Sequence, residues 1–488
     1  MFDLNQFTIA LFAATAPRRK ERPILKNLSR VNTERILHGS MIHAMLSISI
    51  PMVINSFLQT VYNLTDTYWL GQIGTEPLAA INLVTPVQSV VIAFGGGVTV
   101  AGSVLIAQYI GAGREDEGRK VANQIFSCAI GFALLCAALL SLLTPAIVSW
   151  LGATGGTLTH GVTYLRIVIL DMPFLFMVDL YQATRQAQGD TVHPMLLNLL
   201  GISLNTLFDP LLMVVLHLGA AGAALATVAA KAVPATIAFA LLRRKDEPMR
   251  LSPSLMRPER DKLRDIVSIG LPTAIGNSTM QLGFLLMSRN VFTYGVDAMA
   301  AYGIGNRING LITLPSTSIG SAVSTIVAQN IGARQTERAE RGYWLSMACS
   351  VAFLFLGGRV LSLPTVSRAI VGIFASDPAV VSMASEFLGL MAFWCWTNGI
   401  HDACCGLFRG TGHTELSVSV NVCRMWVFRF GTLFFCQSVL HMGVQSVWYS
   451  VVVSNGISAT ILLLLYFSRL WCKPRVQLHP YHGPKSAA

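Results

Sequence analysis

Charge is scarce in this chain. Asp, Glu, Lys and Arg make up only 12% of its 488 residues, about half the roughly 25% that a soluble domain carries. That shortage excludes a water-facing surface over most of the length. Acid is scarcer than base, 24 residues against 35, for a net charge of +11. Such a balance can signal a nucleic-acid partner, but the bases are not gathered into a patch, which argues against one. No GxxxxGK[ST] phosphate loop occurs, so no ATP-hydrolysing engine is visible. Neither an enzyme nor a cofactor carrier is indicated. No signal peptide is expected in the opening residues either. Phe7–Ala16 is a short apolar run, but bases follow it rather than precede it, the wrong order for a signal peptide. It reads as an interfacial segment or a disordered start. The nine cysteines, Cys128, Cys136, Cys349, Cys395, Cys423 and Cys436 among them, lie mostly within apolar stretches. They suit packing rather than a disulfide framework.

Apolar runs are what the chain has instead, with 53% hydrophobic residues. Crossing a hydrocarbon core takes about 20 apolar residues as a helix, and helix is the simplest way to satisfy the backbone there. Spans are expected near 41–68, 78–108, 121–144, 158–183, 193–216, 220–242, 265–293, 299–330, 342–364, 379–408, 415–438 and 442–468. The expected fold is an all-α integral membrane protein of twelve helices. The bases occupy alternate loops. Arg18, Arg19, Lys20, Arg22, Lys26, Arg30 and Arg35 precede the first span. Arg114, Arg119 and Lys120 follow the second, and Arg334, Arg338 and Arg341 the eighth. Arg243–Arg264 joins the sixth to the seventh, and Arg469, Lys473 and Arg475 follow the last. Loops Gly71–Pro77, Pro145–Gly161, His217–Gly219 and His441–Gly443 carry none, and only Arg359 and Arg368 break the pattern. The positive-inside rule puts both termini in the cytoplasm of a cell inner (plasma) membrane protein. His479 and His482 in the polar tail read as solvated.

The sequence repeats itself. A shift of 221 lays Pro51 on Pro272, Gly74 on Gly295 and Ala79-Ala80 on Ala300-Ala301. It also lays Ala107-Gln108 on Ala328-Gln329 and Ile110-Gly111-Ala112 on Ile331-Gly332-Ala333. A shift of 223 lays Gly189 on Gly412 and Asn198 on Asn421. Each unit holds an even number of spans, so the repeats are parallel. Two six-helix lobes, 41–242 and 265–468, are related by an axis along the membrane normal, with substrate handled between them. Segment 1–40 precedes them, 243–264 links them and 469–488 is the tail.

The symmetry fails at informative places. Asp66 falls on Met287, Asp209 on Thr432 and Asn205 on Phe428. An intramembrane carboxylate costs about 2.5–3.5 kcal/mol on insertion scales, so it needs a partner or a use. Asn205 and Asp209 share a helix face, as do Gln59 and Asp66. The topology sets Asp66, Asp209 and Thr227 in the outer half of the bilayer. Two such carboxylates hold a proton, or bind sodium with amide and hydroxyl oxygens. The bland alternative is a set of satisfied structural polar groups. Pro51 kinks the first span and frees a carbonyl. It acts either as a hinge or as a static bend.

Several stretches resemble the multidrug and toxic compound extrusion (MATE) family, over about Leu37–Phe467. They are Tyr62-Asn63-Leu64-Thr65-Asp66-Thr67 with Gly71, Gly74 and Leu78-Ala79-Ala80; Ala107-Gln108…Gly111-Ala112 and Ala328-Gln329…Gly332-Ala333; and Asn205 with Asp209-Pro210. Arg185 with Gly189-Asp190-Thr191, and Arg409-Gly410-Thr411-Gly412, look like the family's loop signatures. Within it the chain looks like the DinF-like branch. The resemblance implies an N-lobe ion-coupling site at Asp66, Asn205, Asp209 and Thr227, which would also be the ligands if the ion is sodium. It implies cavity contacts at Gln59, Tyr164 and Gln182, and a first span that bends at Pro51. Other branches carry a glutamate at or beside the position of Met280. Asp179 lies in the cavity-lining stretch, where it either adds charge for a cationic cargo or faces the headgroups. The implied activity is secondary-active efflux of cationic or amphipathic organic compounds in exchange for H+ or Na+, by a monomer amid membrane lipid.

Rival readings carry less. Gly111–Lys120 has the acid–base order wrong for the loop-two motif of the major facilitator superfamily, and Gly332–Gly342 does not reproduce it. A lipid or oligosaccharide flippase would want a cationic cavity. Apart from Arg359 near the end of the ninth span, only Arg166, Lys231, Arg289, Arg307, Arg424 and Arg429 are Lys or Arg within spans. Arg424 and Arg429, five apart, stand about 140° apart around an α-helix, which suits pairing or snorkelling. A channel or receptor is disfavoured by the duplication. The His401-Asp402-Cys404-Cys405 cluster is too local to close a tetrahedral metal site and reads as a polar patch, with Asp402 a secondary substrate contact. Asp171 is expected to pair with a base such as Arg166.

Overall fold

The computed structural model describes residues 24–72 and 75–472. Outside these residues lie Phe7–Ala16, the bases at 18–20 and 22, Gly74, Lys473, Arg475, His479 and His482.

Twelve helical passages follow a short leading helix, Ile24–His38. The first six are Met41–Gln72, Thr75–Gly111, Glu115–Trp150, Gly155–Ala187, Val192–Val215 and Gly219–Leu242. The second six begin with Arg260–Phe292, Val296–Gly332 and Thr336–Leu361. The tenth passage is Pro378–Trp394 joined to Trp396–Gly410 at a 53° bend. The eleventh runs from Thr414 through a π-helical turn, Arg424–Arg429, to Ser438. The twelfth is Gln445–Phe467. Most passages outrun the expected spans because polar and amphipathic turns extend them past the hydrocarbon. The helix through Pro145 continues to Trp150, so the third connection shrinks to four residues, 151–154. Arg359 lies in the last turn of the ninth passage and Arg368 within an extra helix, Pro364–Val371. Arg359 stacks its guanidinium 3.8 Å from the Phe393 centroid, which accounts for a base at that face.

The stretch after the sixth span is docked rather than loose. Glu247 is buried and takes Arg185 at 2.6 Å and Gln188 at 3.1 Å. Asn123 donates to Arg250 O (3.0 Å) and accepts from Ser252 N (2.7 Å).

Two pairs of contacts obey the repeat. Pro51 has no N–H, so its turn is short of a donor. The Thr191 hydroxyl donates to Ile48 O at 2.9 Å. In the second lobe Thr414 donates to Ile269 O at 3.2 Å, beside Pro272. Gly189 and Gly412, with φ of +75° and +87°, turn the chain into these two threonine-bearing segments.

The second pair joins the lobes. Gln108 Nε2 donates to Gly410 O (2.8 Å), and Gln329 Nε2 donates to Ala187 O (2.7 Å). Each glutamine of one lobe therefore satisfies a carbonyl at a helix end of the other. The approach requires glycine: a Cβ at Gly111 would lie 1.9 Å from Gln329 O, and one at Gly332 2.0 Å from Gln108 O. This seal lies at the face that carries the basic loops. Toward the opposite face the second and eighth helices expose Asn82, Thr85, Arg307 and Thr317. Lipid solvates such groups poorly, so this exposed polar surface suits an aqueous passage between the lobes rather than a lipid contact.

Candidate functional site

The first lobe encloses a cavity of about 200 Å³ among its first, fourth, fifth and sixth helices. Helical spacing puts its polar lining on facing stripes. Asn55, Gln59 and Tyr62 come from the first helix and Asp179 and Gln182 from the fourth. Asn198, Gly201 and Asn205 come from the fifth, and Thr227 and Lys231 from the sixth. Asn198 Nδ2 donates to Asn55 Oδ1 (3.1 Å) and to Gln182 Oε1 (3.2 Å), tying three helices together.

Five of the expected residues thus meet at one cavity: Gln59, Asp179, Gln182, Asn205 and Thr227. Asp209, one turn past Asn205, is completely buried. Neither of its carboxylate oxygens meets hydrogen-bond geometry with a partner, nor does either amide atom of Asn205, although the Asn205 amide is near enough to act on the carboxylate. Asp66 is half-buried, within electrostatic reach of Asp209 and of Tyr62 and Tyr164. Tyr164 packs at the outer end among the buried residues of the fourth helix. The Thr227 hydroxyl donates to Ala223 O at 3.0 Å, which leaves its lone pairs for a ligand. A buried, unpartnered carboxylate beside an unpartnered amide is costly unless a proton or a cation completes it. The donor set fits either ion. Pro51 lies away from this cavity, in the half of the first helix near the basic face.

Asp171 does not pair with Arg166. It accepts Lys231 Nζ at 2.5 Å and Gln88 Nε2 at 3.5 Å. A 3-10 turn, Ile169–Asp171, re-aims the carboxylate toward the sixth helix, and Arg166 stays exposed on the far side. Lys231 is the main element that sequence reasoning missed. Its only signal was a lysine inside an apolar span. Asn55 and Tyr62 carried less signal still. His401 bonds to Asn421 (3.0 Å) and Ser458 (3.3 Å), and Asp402 to Ser316 (2.7 Å), a polar patch joining the tenth helix to its neighbours.

A duplicated helical bundle, sealed at one face and exposing polar side chains toward the other, with a polar cavity in one lobe, defines a multi-pass membrane transporter. The MatE family model matches residues 51–211 and 272–435. The multidrug export protein MepA of Staphylococcus haemolyticus is 26% identical over 431 residues, 88% of this chain and 94% of that protein. A solved structure of MATE in complex with MaL6 superposes with a TM-score of 0.84 at 24% identity. It covers 89% of this chain and 97% of that one. Another, of MATE in the bent conformation, gives 0.83 at 23% identity, covering 90% and 97%. The chain belongs to the MATE family; it is a transporter and not an enzyme.

Proposed function

We propose that this chain is a secondary-active multidrug efflux antiporter. It exports cationic or amphipathic organic compounds in exchange for H+ or Na+. The observation that carries the reading is the buried Asp209 carboxylate one turn from Asn205, which lines the polar cavity. The name of MepA, a multidrug export protein, supports the cargo class. In this reading Asp66, Asn205, Asp209 and Thr227 take the coupling ion. Gln59, Tyr164, Asp179 and Gln182 contact cargo. Ion entry lets the first span bend at Pro51, shrink the cavity and release cargo outward. Opposed affinities for ion and cargo then share one switch, as exchange requires. The absence of a carboxylate at Met280 supports the DinF-like branch. The alternating bases support cytoplasmic termini in an inner membrane, the repeat supports lobes of 41–242 and 265–468, and a cavity contained within one lobe suits function as a monomer. The flippase alternative is not favoured.

The test is efflux of ethidium from vesicles under separately imposed proton and sodium gradients. One gradient should drive efflux, at about 2.3 kcal/mol per charge per 100 mV of membrane potential. Efflux that ignores both would refute antiport.

A further inference from the structure

The second lobe carries the scaffold of the cavity with its charge reversed. The repeat lays Asp179 on Asp402, Asn198 on Asn421 and Gly201 on Arg424. A shift of 224 lays Ala235-Thr236-Ile237 on Ala459-Thr460-Ile461 and Lys231 on Asn455. The first lobe sets four carboxylates, Asp66, Asp171, Asp179 and Asp209, against one ammonium. The corresponding interior of the second sets Arg424 and Arg429 against Asp402 alone.

The two arginines are not apart, as an α-helix would leave them. They begin and end the π-helical turn Arg424–Arg429. Its i→i+5 closure brings residues five apart onto one side of the helix, and such turns recur at functional sites. The two guanidiniums lie within electrostatic reach of each other. Arg429 is 5% exposed and donates only to neutral partners, Ser454 Oγ (3.2 Å), Asn455 Oδ1 (3.2 Å) and Met425 sulfur. Phe284 offers its ring at 6.0 Å. Arg424 is half-buried, and its Nε is buried with no partner. Asp402 gives its Oδ2 to Ser316 instead. Among the described residues no carboxylate reaches either arginine within ion-pair distance. Asp402 lies within electrostatic reach of Arg424 but makes no ion pair with it, so two guanidiniums share one distant carboxylate, an arrangement that calls for a further anion.

We propose that Arg424 and Arg429 form an oxyanion subsite in the second lobe. It receives the carboxylate or phosphate group of an anionic or zwitterionic organic molecule. Arg424 stands at the position that the repeat equates with Gly201, which lines the first-lobe cavity. Arg429 is held at its base by Ser454 and Asn455. A zwitterion spanning the cleft would set its cation toward Asp179 and its anion toward Arg424. This site stands apart from the coupling residues and does not depend on which ion they take.

The test is binding of 6-carboxyfluorescein to the purified full chain in nanodiscs of neutral phosphatidylcholine. Wild type should bind it at least tenfold tighter than Arg424→Gln and than the Arg424→Gln/Arg429→Gln double variant, with Arg424→Lys between. Arg424→Gln is the informative variant should the double one fail to fold, because the equivalent position in the first lobe tolerates glycine. Ethidium binding reports on the first lobe and should stay within twofold of wild type in each. Displacement by inorganic phosphate would identify a free oxyanion as the occupant. Displacement only when phosphatidylglycerol enters the disc would identify a lipid headgroup. Equal affinity in wild type and Arg424→Gln, or no binding above empty discs, overturns the proposal.

Discussion

At the scale of single residues, the environment of each carboxylate decides its use. Asp209 and Asn205 are buried without partners, so neutralising Asp209 removes an ion site rather than a structural bond. Asp209→Asn and Asp66→Asn should abolish cargo-induced ion release from purified protein, whereas Met287→Ala and Thr432→Ala should leave most of it. Release by both Asn variants at the wild-type level would make these carboxylates structural. Asp171 behaves oppositely. It is wholly buried, while its partner Lys231 keeps 27% of its side chain exposed. Lys231→Met therefore strands a carboxylate, at a cost of up to about 3–5 kcal/mol. Asp171→Asn leaves an ammonium that can still reach cavity water and should cost less. Thermal melting of the two variants checks the order, and a Lys231→Met protein as stable as Asp171→Asn would contradict it. Asp66 and Asp209 were legible in the sequence because charge within a span stands out. Lys231–Asp171 was not, since a 3-10 turn sets the direction of Asp171 and spacing alone cannot show that.

At the scale of helices, irregularities carry the design. The Thr191 hydroxyl serves the turn that Pro51 leaves short of a donor. Thr191→Val removes the hydroxyl that lies 2.9 Å from Ile48 O and 3.5 Å from Ser47 O, the carbonyl that Pro51 leaves without its helical donor, a penalty of about 1–3 kcal/mol on the conformation described here. Faster amide hydrogen exchange over 44–52 would report it, and Thr414→Val should do the same near Ile269. Unchanged exchange in both would make the contacts incidental. Pro51→Ala should slow transport while sparing equilibrium ion binding. The twelve spans were readable from apolar runs alone, to within a few residues at most boundaries. The π-helical turn was not. Arg424 and Arg429 looked 140° apart only because α geometry was assumed, and backbone winding there is decided by packing rather than by composition. The Asn55–Asn198–Gln182 network was equally hidden, because it joins three helices across long sequence separations.

At the scale of the whole molecule, the two lobes meet through exchanged glutamines. Gln108→Ala and Gln329→Ala each remove one bond across the seal, worth about 0.5–1.5 kcal/mol. Each should shift the protein toward the state open at the basic face. A cysteine at Ser254 in the linker should react with impermeant reagent only from the cytoplasmic side, and one at Thr154 only from outside. Outside labelling at Ser254 would overturn the orientation. Ala107-Gln108 and Ala328-Gln329 were visible as a repeated motif, yet their office was not, since each glutamine's acceptor lies in the other half of the chain. That exchange bears on descent. Gln108 meets Gly410 as Gln329 meets Ala187, which is the self-complementary pattern of a two-fold dimer. A single-lobe ancestor pairing with its own copy would have made both bonds with one glutamine. Fusion of two such genes would have needed no new contact, only a tether, and left each half free to drift toward its own charge.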